Sequence, residues 1–232
     1  MATLATRRLG TELLDDPRGS PALVRASLHN IARSNRWFGG TAALCWGLGR
    51  VLRGLAPGTR LTLLDIGSGL GDVPRAAAAW AARRGIELVP MGLERHPEAA
   101  RLAVGRGLPT MIGCAGAPPV SRKSVDIVSV CMLAHHFEPE SVVELFRTCD
   151  ALARRAVVVA DLRRTPLAKA AFWCGARLLR FDPITAADGL TSIRRGFSPG
   201  ELTALLRRAG VSGRVARRPG WRLVATWTPA PA

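Results

Sequence analysis

The chain contains no tyrosine, and Lys123 and Lys169 are its only lysines, although 33 basic side chains stand against 17 acidic ones. Arginine therefore carries nearly all of a formal net charge of +16. Such a charge raises the question of a nucleic-acid or anionic-membrane partner. The arginines are scattered in pairs, however, among abundant alanine, glycine and proline. That is the composition of a GC-rich genome, and the expectation is against a nucleic-acid partner. No apolar run approaches the roughly 20 residues of a membrane span. The first residues, with Arg7, Arg8, Glu12, Asp15 and Asp16, lack the apolar stretch of a secretory signal. Cys45, Cys114, Cys131, Cys149 and Cys174 form no CxxC pair. They exclude a disulfide frame and a zinc site, and read as small hydrophobes in a reducing cytoplasm, the expected compartment. Metal ligands do not cluster, so metal independence is expected. What remains is ordinary for a globular protein: 232 residues, 48% hydrophobic and 22% charged. That is enough chain for one domain with its own core.

Residues 1–56 read as helical, with Ser20-Pro21 opening one helix, Gly39-Gly40 ending it and Thr41 capping a second. From 57 to 232 strands alternate with helices. Strands are expected at Leu61–Ile66, Ile86–Leu93, Thr110–Cys114, Val125–Cys131 and Ala156–Leu162. Helices are expected at Asp72–Arg84, Pro97–Arg106 and Pro139–Leu152. This alternation predicts a parallel sheet covered on both faces. A helix over Pro166–Arg180 should bury Leu167, Ala170, Ala171, Cys174, Leu178 and Phe181. Its other stripe, Lys169, Trp173, Arg177 and Arg180, reads as a solvated face, with weak association to a membrane surface as the alternative. Phe181–Phe197 reads as irregular. Ser198-Pro199-Gly200-Glu201 is a capping box opening a helix to Ala209, and Val211–Arg217 and Arg222–Thr228 read as final strands.

The sharpest feature is Leu63-Leu64-Asp65-Ile66-Gly67-Ser68-Gly69-Leu70-Gly71-Asp72, a strand running through a glycine turn into a helix. Ligands of open parallel sheets bind at such strand ends. The spacing is GxGxG, and Asp72 occupies the third-glycine slot of the dinucleotide pattern. No GxxxxGK[ST] occurs, which excludes a P-loop. A carboxylate two residues before the first glycine suits an ammonium-bearing or polar ligand better than a pyrophosphate. Glu94, ending the second strand, can accept hydrogen bonds from both hydroxyls of a ribose.

These residues resemble the class I S-adenosyl-L-methionine-dependent methyltransferases, and the subgroup resembled acts on small quinone-type or polyketide-like molecules. The resemblance spans roughly Leu61–Leu162. It implies a seven-stranded Rossmann-like α/β sheet with an N-terminal helical lid over 1–56. It implies S-adenosyl-L-methionine as cofactor and S-adenosyl-L-homocysteine as product. Asp65, Gly67, Ser68, Gly69 and Gly71 would hold the methionine part, and Glu94 the ribose. Cys114 and Ala115 fall where the family often has Asp-Ala at the adenine, so Cys114 departs from that pattern. Cys131 and Met132 would line the cofactor, and Arg95 would pack on the adenine or lie in solvent.

Leu133-Ala134-His135-His136-Phe137 follows the fourth strand, at the cleft mouth. A neutral hydroxyl nucleophile needs its proton removed, and histidine suits that task. His135 and His136 are both candidate bases; the sequence does not choose between them. His29 and His96 read as surface or packing residues. Substrate contacts are expected from Arg36 and Trp37 in the lid, Asp161 at the end of the fifth strand, and Ser192 and Arg195. The expected activity is O-methylation of a small phenolic, quinol or polyketide-like acceptor. The alternatives are carbon or nitrogen methylation of a small molecule, nucleic-acid methylation, and cofactor binding without catalysis. Against nucleic acid, Val130-Cys131-Met132-Leu133 replaces the [Asn/Asp/Ser]-Pro-Pro-aromatic turn of amino-methylating enzymes.

Overall fold

The computed structural model describes Arg7 and residues 20–231. The expectations for Arg8, Glu12, Asp15, Asp16 and most of the first 19 residues lie outside the described residues. Seven strands form one sheet in the order β3-β2-β1-β4-β5-β7-β6. The first five strands are β1 (Arg60–Ile66), β2 (Glu87–Glu94), β3 (Thr110–Ile112), β4 (Val125–Cys131) and β5 (Ala153–Leu162). They pair in parallel, as the buried apolar runs require. The last two, β6 (Arg214–Arg218) and β7 (Arg222–Trp227), form an antiparallel hairpin, and β7 pairs antiparallel with β5. The chain leaves β1 toward β2 on one side and reaches β4 on the other. The gap between the β1 and β4 carboxyl ends is thus the topological switch where ligands bind in such sheets.

Helices cover both faces. One core lies between the sheet and α5 (Pro139–Leu152) and α8 (Pro199–Ala209), centred on Phe146, Leu202 and Trp227. The other lies under α2 (Gly40–Val51) and α3 (Asp72–Ala82), centred on Leu44, Leu48 and Ala77. The segment over 1–56 splits in role. Helix α1 (Pro21–Trp37) lies across the carboxyl edge, bonded by Asn35 to Asp72 and by Asn30 to Asp182. Helix α2 instead packs on the sheet, where a Cβ on Gly47 would lie 2.5 Å from Val158 Cγ1. Its N-cap is Gly39, in a left-handed conformation, rather than Thr41.

Three expectations are corrected. The segment read as irregular contains α7 (Pro183–Arg195). Asp182 caps it by accepting the Thr185 N–H at 2.9 Å, with Pro183 in the first turn. Gly189 lowers helix propensity there, yet its missing Cβ admits the Phe172 ring, which a Cβ would meet at 2.1 Å. In α6 (Pro166–Leu178) the packed face is small, with Ala168 and Ala176 buried, while Leu167, Cys174 and Leu178 are exposed. Gly175 lets Phe38 approach: its Cβ would stand 2.4 Å from the ring. Finally, β6 starts at Arg214, not Val211, because the Val211 N–H still closes the α8 cap by bonding Leu206 O. No helix among the described residues is long and apolar enough to cross a membrane.

Gly47 and Gly200 give a matched test. Gly47→Leu should destabilise the protein by about 1–3 kcal/mol through overpacking. Gly200→Ala, at a position with nothing within 4 Å of the added Cβ, should lose no stability. Denaturant midpoints of both variants check this.

Candidate cofactor and acceptor site

A cavity of ≈ 480 Å³ opens at the carboxyl ends of β1, β2 and β4, roofed by α1, α6 and α7. Its floor is the glycine turn. Gly67, Gly69 and Gly71 have φ of +74°, +52° and +70°, the left-handed region that glycine adopts without strain. Cβ atoms on Gly67 and Gly71 would also stand 2.8 Å from Leu133 and 2.6 Å from Leu108. The turn is clamped by Glu94. Its Oε2 accepts the Gly69 N–H at 2.8 Å and its Oε1 the His96 N–H at 2.9 Å. An ionised carboxylate has about four acceptor sites, so this clamp leaves lone pairs directed elsewhere.

Two more carboxylates line this end, Asp65 and Asp72. Asp65 is fully buried and accepts from Ser129 Oγ at 2.5 Å. Burial pushes its pKa up to about 7 against the Ser129 hydrogen bond, aided by repulsion from Asp72 and Glu94. Asp72 is also raised by burial, although the Asn35 amide donates to it at 3.2 Å. Ser68 Oγ is buried with no partner among the described residues. Gly92 makes its room, since a Cβ there would lie 2.4 Å from that oxygen.

Arg95, Cys114 and Ala115 line the rim, and Cys131 and Met132 the inner wall. Met132 has φ +56°, an outlier for a long side chain, where β4 ends. His96, read as a surface or packing residue, also lines the cavity. Its Nδ1 accepts the Glu98 N–H and caps α4 (Pro97–Val104), and its Nε2 is buried without a partner among the described residues. His29 is exposed.

The two histidines follow β4 in a single 3₁₀ turn, Ala134–His136, with ring centroids 4.4 Å apart. His135 is 2% exposed. Its Nδ1 bonds Asp161 Oδ1 at 2.6 Å, and its own N–H donates to Asp161 Oδ2 at 3.1 Å. Asp161 is completely buried and also accepts the Leu162 N–H at 2.7 Å. Burial alone would raise the Asp161 pKa. The charge and hydrogen bonds of His135 outweigh it, helped by the Leu162 N–H, and the carboxyl is held below its usual range. An ionised Asp161 is acceptor-only, so His135 donates to it from Nδ1, and in the neutral ring that tautomer leaves the lone pair on Nε2. That Nε2 has no partner among the described residues. His136 is held differently: its Nδ1 accepts an Arg195 guanidinium N–H at 2.9 Å. Arg7 braces the turn from below, donating to the His135 and Phe137 carbonyls at 3.0 and 2.9 Å and to Arg195 O at 2.8 Å.

The expected substrate contacts separate. Ser192 lines the cavity. Arg195 is buried behind it and positions His136. Asp161 is not on the wall; it is sealed beneath His135. Arg36 and Trp37 are misassigned. Trp37 is 65% exposed, with Arg36 stacked on it, and neither lines the cavity. Helical phase explains the error, because their neighbours Asn35 and Phe38 face inward. Phe172, Trp221 and Arg222 also line the cavity and were missed. The first sits within a misjudged helix face; the others sit on a late hairpin that only strand pairing brings to this edge.

No protein-family model matches the sequence, and no curated protein matches it. Solved structures do match. An S-adenosyl-L-methionine-dependent methyltransferase from Aquifex aeolicus superposes with a TM-score of 0.61 at 12% identity, covering 92% of this chain and 100% of that one. Magnesium protoporphyrin IX methyltransferase from Synechocystis, solved with S-adenosyl-L-homocysteine, gives 0.56 at 14% identity, covering 85% and 86%. Human N-acetylserotonin methyltransferase, solved with S-adenosyl-L-methionine, gives 0.65 at 11% identity, covering 91% of this chain and 57% of that one. The fold is that of the S-adenosyl-L-methionine-dependent methyltransferases. The residues present fit that cofactor. The three glycines of the turn leave room for it, acidic side chains line the cavity for its cationic groups, and Ser68 offers an unused hydroxyl.

Asp65 supplies a pH test. The folded protein keeps its proton up to about pH 7, whereas an aspartate with the ordinary value of 3.8 releases it far earlier. The folded state thus binds more protons between those values, and this group's stability contribution is lost as pH rises from about 4 to about 7. Asp65→Asn should therefore gain on the wild type between pH 5 and pH 8 in urea titrations without ligand. A constant difference across that range would refute the assignment.

Proposed function

We propose that the protein is an S-adenosyl-L-methionine-dependent methyltransferase acting on an oxygen of a small phenolic, quinol or polyketide-like acceptor, with His135 as general base. The carrying observation is the buried His135 ring on the cavity wall, its Nδ1 bonded to the buried Asp161 carboxylate and its Nε2 without a partner among the described residues. Asp65, Ser68 and the three glycines would hold the methionine part, Glu94 the ribose, and Cys114 and Ala115 the adenine. Cys131 and Met132 would border the reacting end. When bound, the cofactor supplies a methyl carbon made electrophilic by the adjacent sulfonium.

The chain's own residues then have three tasks. Helices α1, α6 and α7 enclose the cavity, so reactants are aligned and water is kept out; alignment alone can be worth about 7–11 kcal/mol. His135 Nε2 accepts the acceptor hydroxyl proton as the oxygen attacks. Asp161 fixes the productive tautomer and places a negative charge against the imidazolium that forms. His136 is held differently, its Nδ1 accepting from the Arg195 guanidinium. A cavity of ≈ 480 Å³ roofed by three helices favours a small acceptor over a nucleic acid.

Transfer of labelled methyl groups to a panel of phenols and quinols tests this. His135→Ala should lower kcat by about 10²–10⁴-fold, the usual worth of a positioned base. Binding of S-adenosyl-L-homocysteine should stay within about two-fold, as expected for a group acting only in the transition state. Asp161→Asn should also lower kcat, and His136→Ala should cost less than about ten-fold. Full turnover in a folded His135→Ala variant would remove the base from the mechanism.

A further inference from the structure

Arg222 opens β7, opposite Leu162 in the β5 register, and is 4% exposed while lining the cavity. One guanidinium nitrogen, Nη1, donates to Gly220 O at 2.9 Å. Its Nε is buried with no partner, and no carboxylate pairs with the group among the described residues. The nearest balancing charge is Asp161, which already serves His135 and the Leu162 N–H. Burial accordingly pulls the Arg222 pKa down to about 10. The other acid on the acceptor side, Asp188, has partners of its own. A buried cation without a counter-ion is costly, and native structures rarely keep one idle. The surroundings are apolar and flat-sided: Phe38, Phe172 and Trp221 share the wall, the last at φ +53°, a conformation a bulky residue adopts only under constraint.

We propose that Arg222 is the anchor for a carboxylate on the acceptor, so that this site takes planar aromatic acids in preference to neutral phenols or amines. The reading rests on the methyltransferase assignment and narrows its acceptor class. The chemistry matches the unused donors. With Nη1 engaged, the Nε–Nη2 edge is the fork that a carboxylate meets with two parallel hydrogen bonds. The aromatic wall would receive the ring, and His135 lies on the same wall to receive a hydroxyl proton. The cavity is then divided by charge. Asp65, Asp72 and Glu94 serve a cation at one end, and Arg222 serves an anion at the other.

The test is calorimetry with 2,4-dihydroxybenzoate and its neutral amide, both titrated into protein saturated with S-adenosyl-L-homocysteine. The wild type should bind the acid at least about ten-fold more tightly than the amide, since charge-assisted bidentate bonds are the strong ones. Arg222→Met should reduce that preference to about two-fold or less while keeping S-adenosyl-L-homocysteine affinity, and its melting temperature should not fall, because the change removes an unpaired buried charge. Equal wild-type binding of acid and amide, or a preference that survives in Arg222→Met, overturns the anchor. If that variant does not fold, the wild-type preference alone decides. Failure of the wild type to bind S-adenosyl-L-homocysteine would instead strike the methyltransferase reading beneath it.

Discussion

The buried contact between Asp161 and His135 organises the carboxyl edge of the sheet beside the cavity. A carboxylate removed from water at the end of β5 must find donors, and this one finds three: the His135 ring, the His135 backbone and the Leu162 backbone. Those bonds pin the 3₁₀ turn after β4 to the end of the neighbouring strand. They also commit Nδ1 of the ring to the carboxylate. Arg7 secures the same turn through its carbonyls and stacks on Phe197, 4.4 Å from the ring centroid. The histidine is thus held from its backbone and its ring together, leaving one nitrogen uncommitted.

The opposite end of the cavity obeys the same logic with the signs changed. Glu94 spends one hydrogen bond on the glycine turn and one on the start of α4, so the acid that would hold a ribose also shapes the loop. Asp65 is kept close to its protonated form by burial and by its acidic neighbours. A cationic ligand would relieve that repulsion. Three carboxyl groups gathered in one pocket cost stability, and functional sites are where such cost is commonly retained.

The frame of the protein was legible because its signals are local. Strand β4 and helix α5 have the boundaries that their apolar runs and Pro139 indicate, and the Ser198–Glu201 capping box closes as its sequence implies. The glycine turn was readable because glycine spacing reports backbone geometry directly. Helix α7 escaped notice because Gly189 and Ser192 weaken its pattern, though Asp182-Pro183 is as clear a start as Ser20-Pro21. Arg36 and Trp37 were misjudged because one residue of helical phase, about 100°, separates the inward Asn35 from its outward neighbours. His135 and His136 differ through partners 26 and 59 residues away, which spacing along the chain does not show. Arg222 reaches the site only because β7 turns back antiparallel beside β5.

The arginine excess can be followed side chain by side chain. Arg33, Arg75 and Arg147 donate to backbone carbonyls of Leu179, Arg106 and Arg208, tying loops and helix ends together. Arg50 and Arg218 stack on Trp46, Arg84 on Trp80 and Arg177 on Trp173. Arg164, buried, pairs with Glu201 at 2.7 Å. These are structural uses that a planar guanidinium serves and an ammonium does not. They account for much of the positive charge without a polyanion, and they make Arg222 conspicuous. The arginines just named have carboxylates, rings or carbonyls; Arg222 has one carbonyl and a cavity. A compositional bias explains why an arginine is available at that position. It does not explain why a buried one is left without a counter-ion on the wall of the site, whereas an anionic acceptor would.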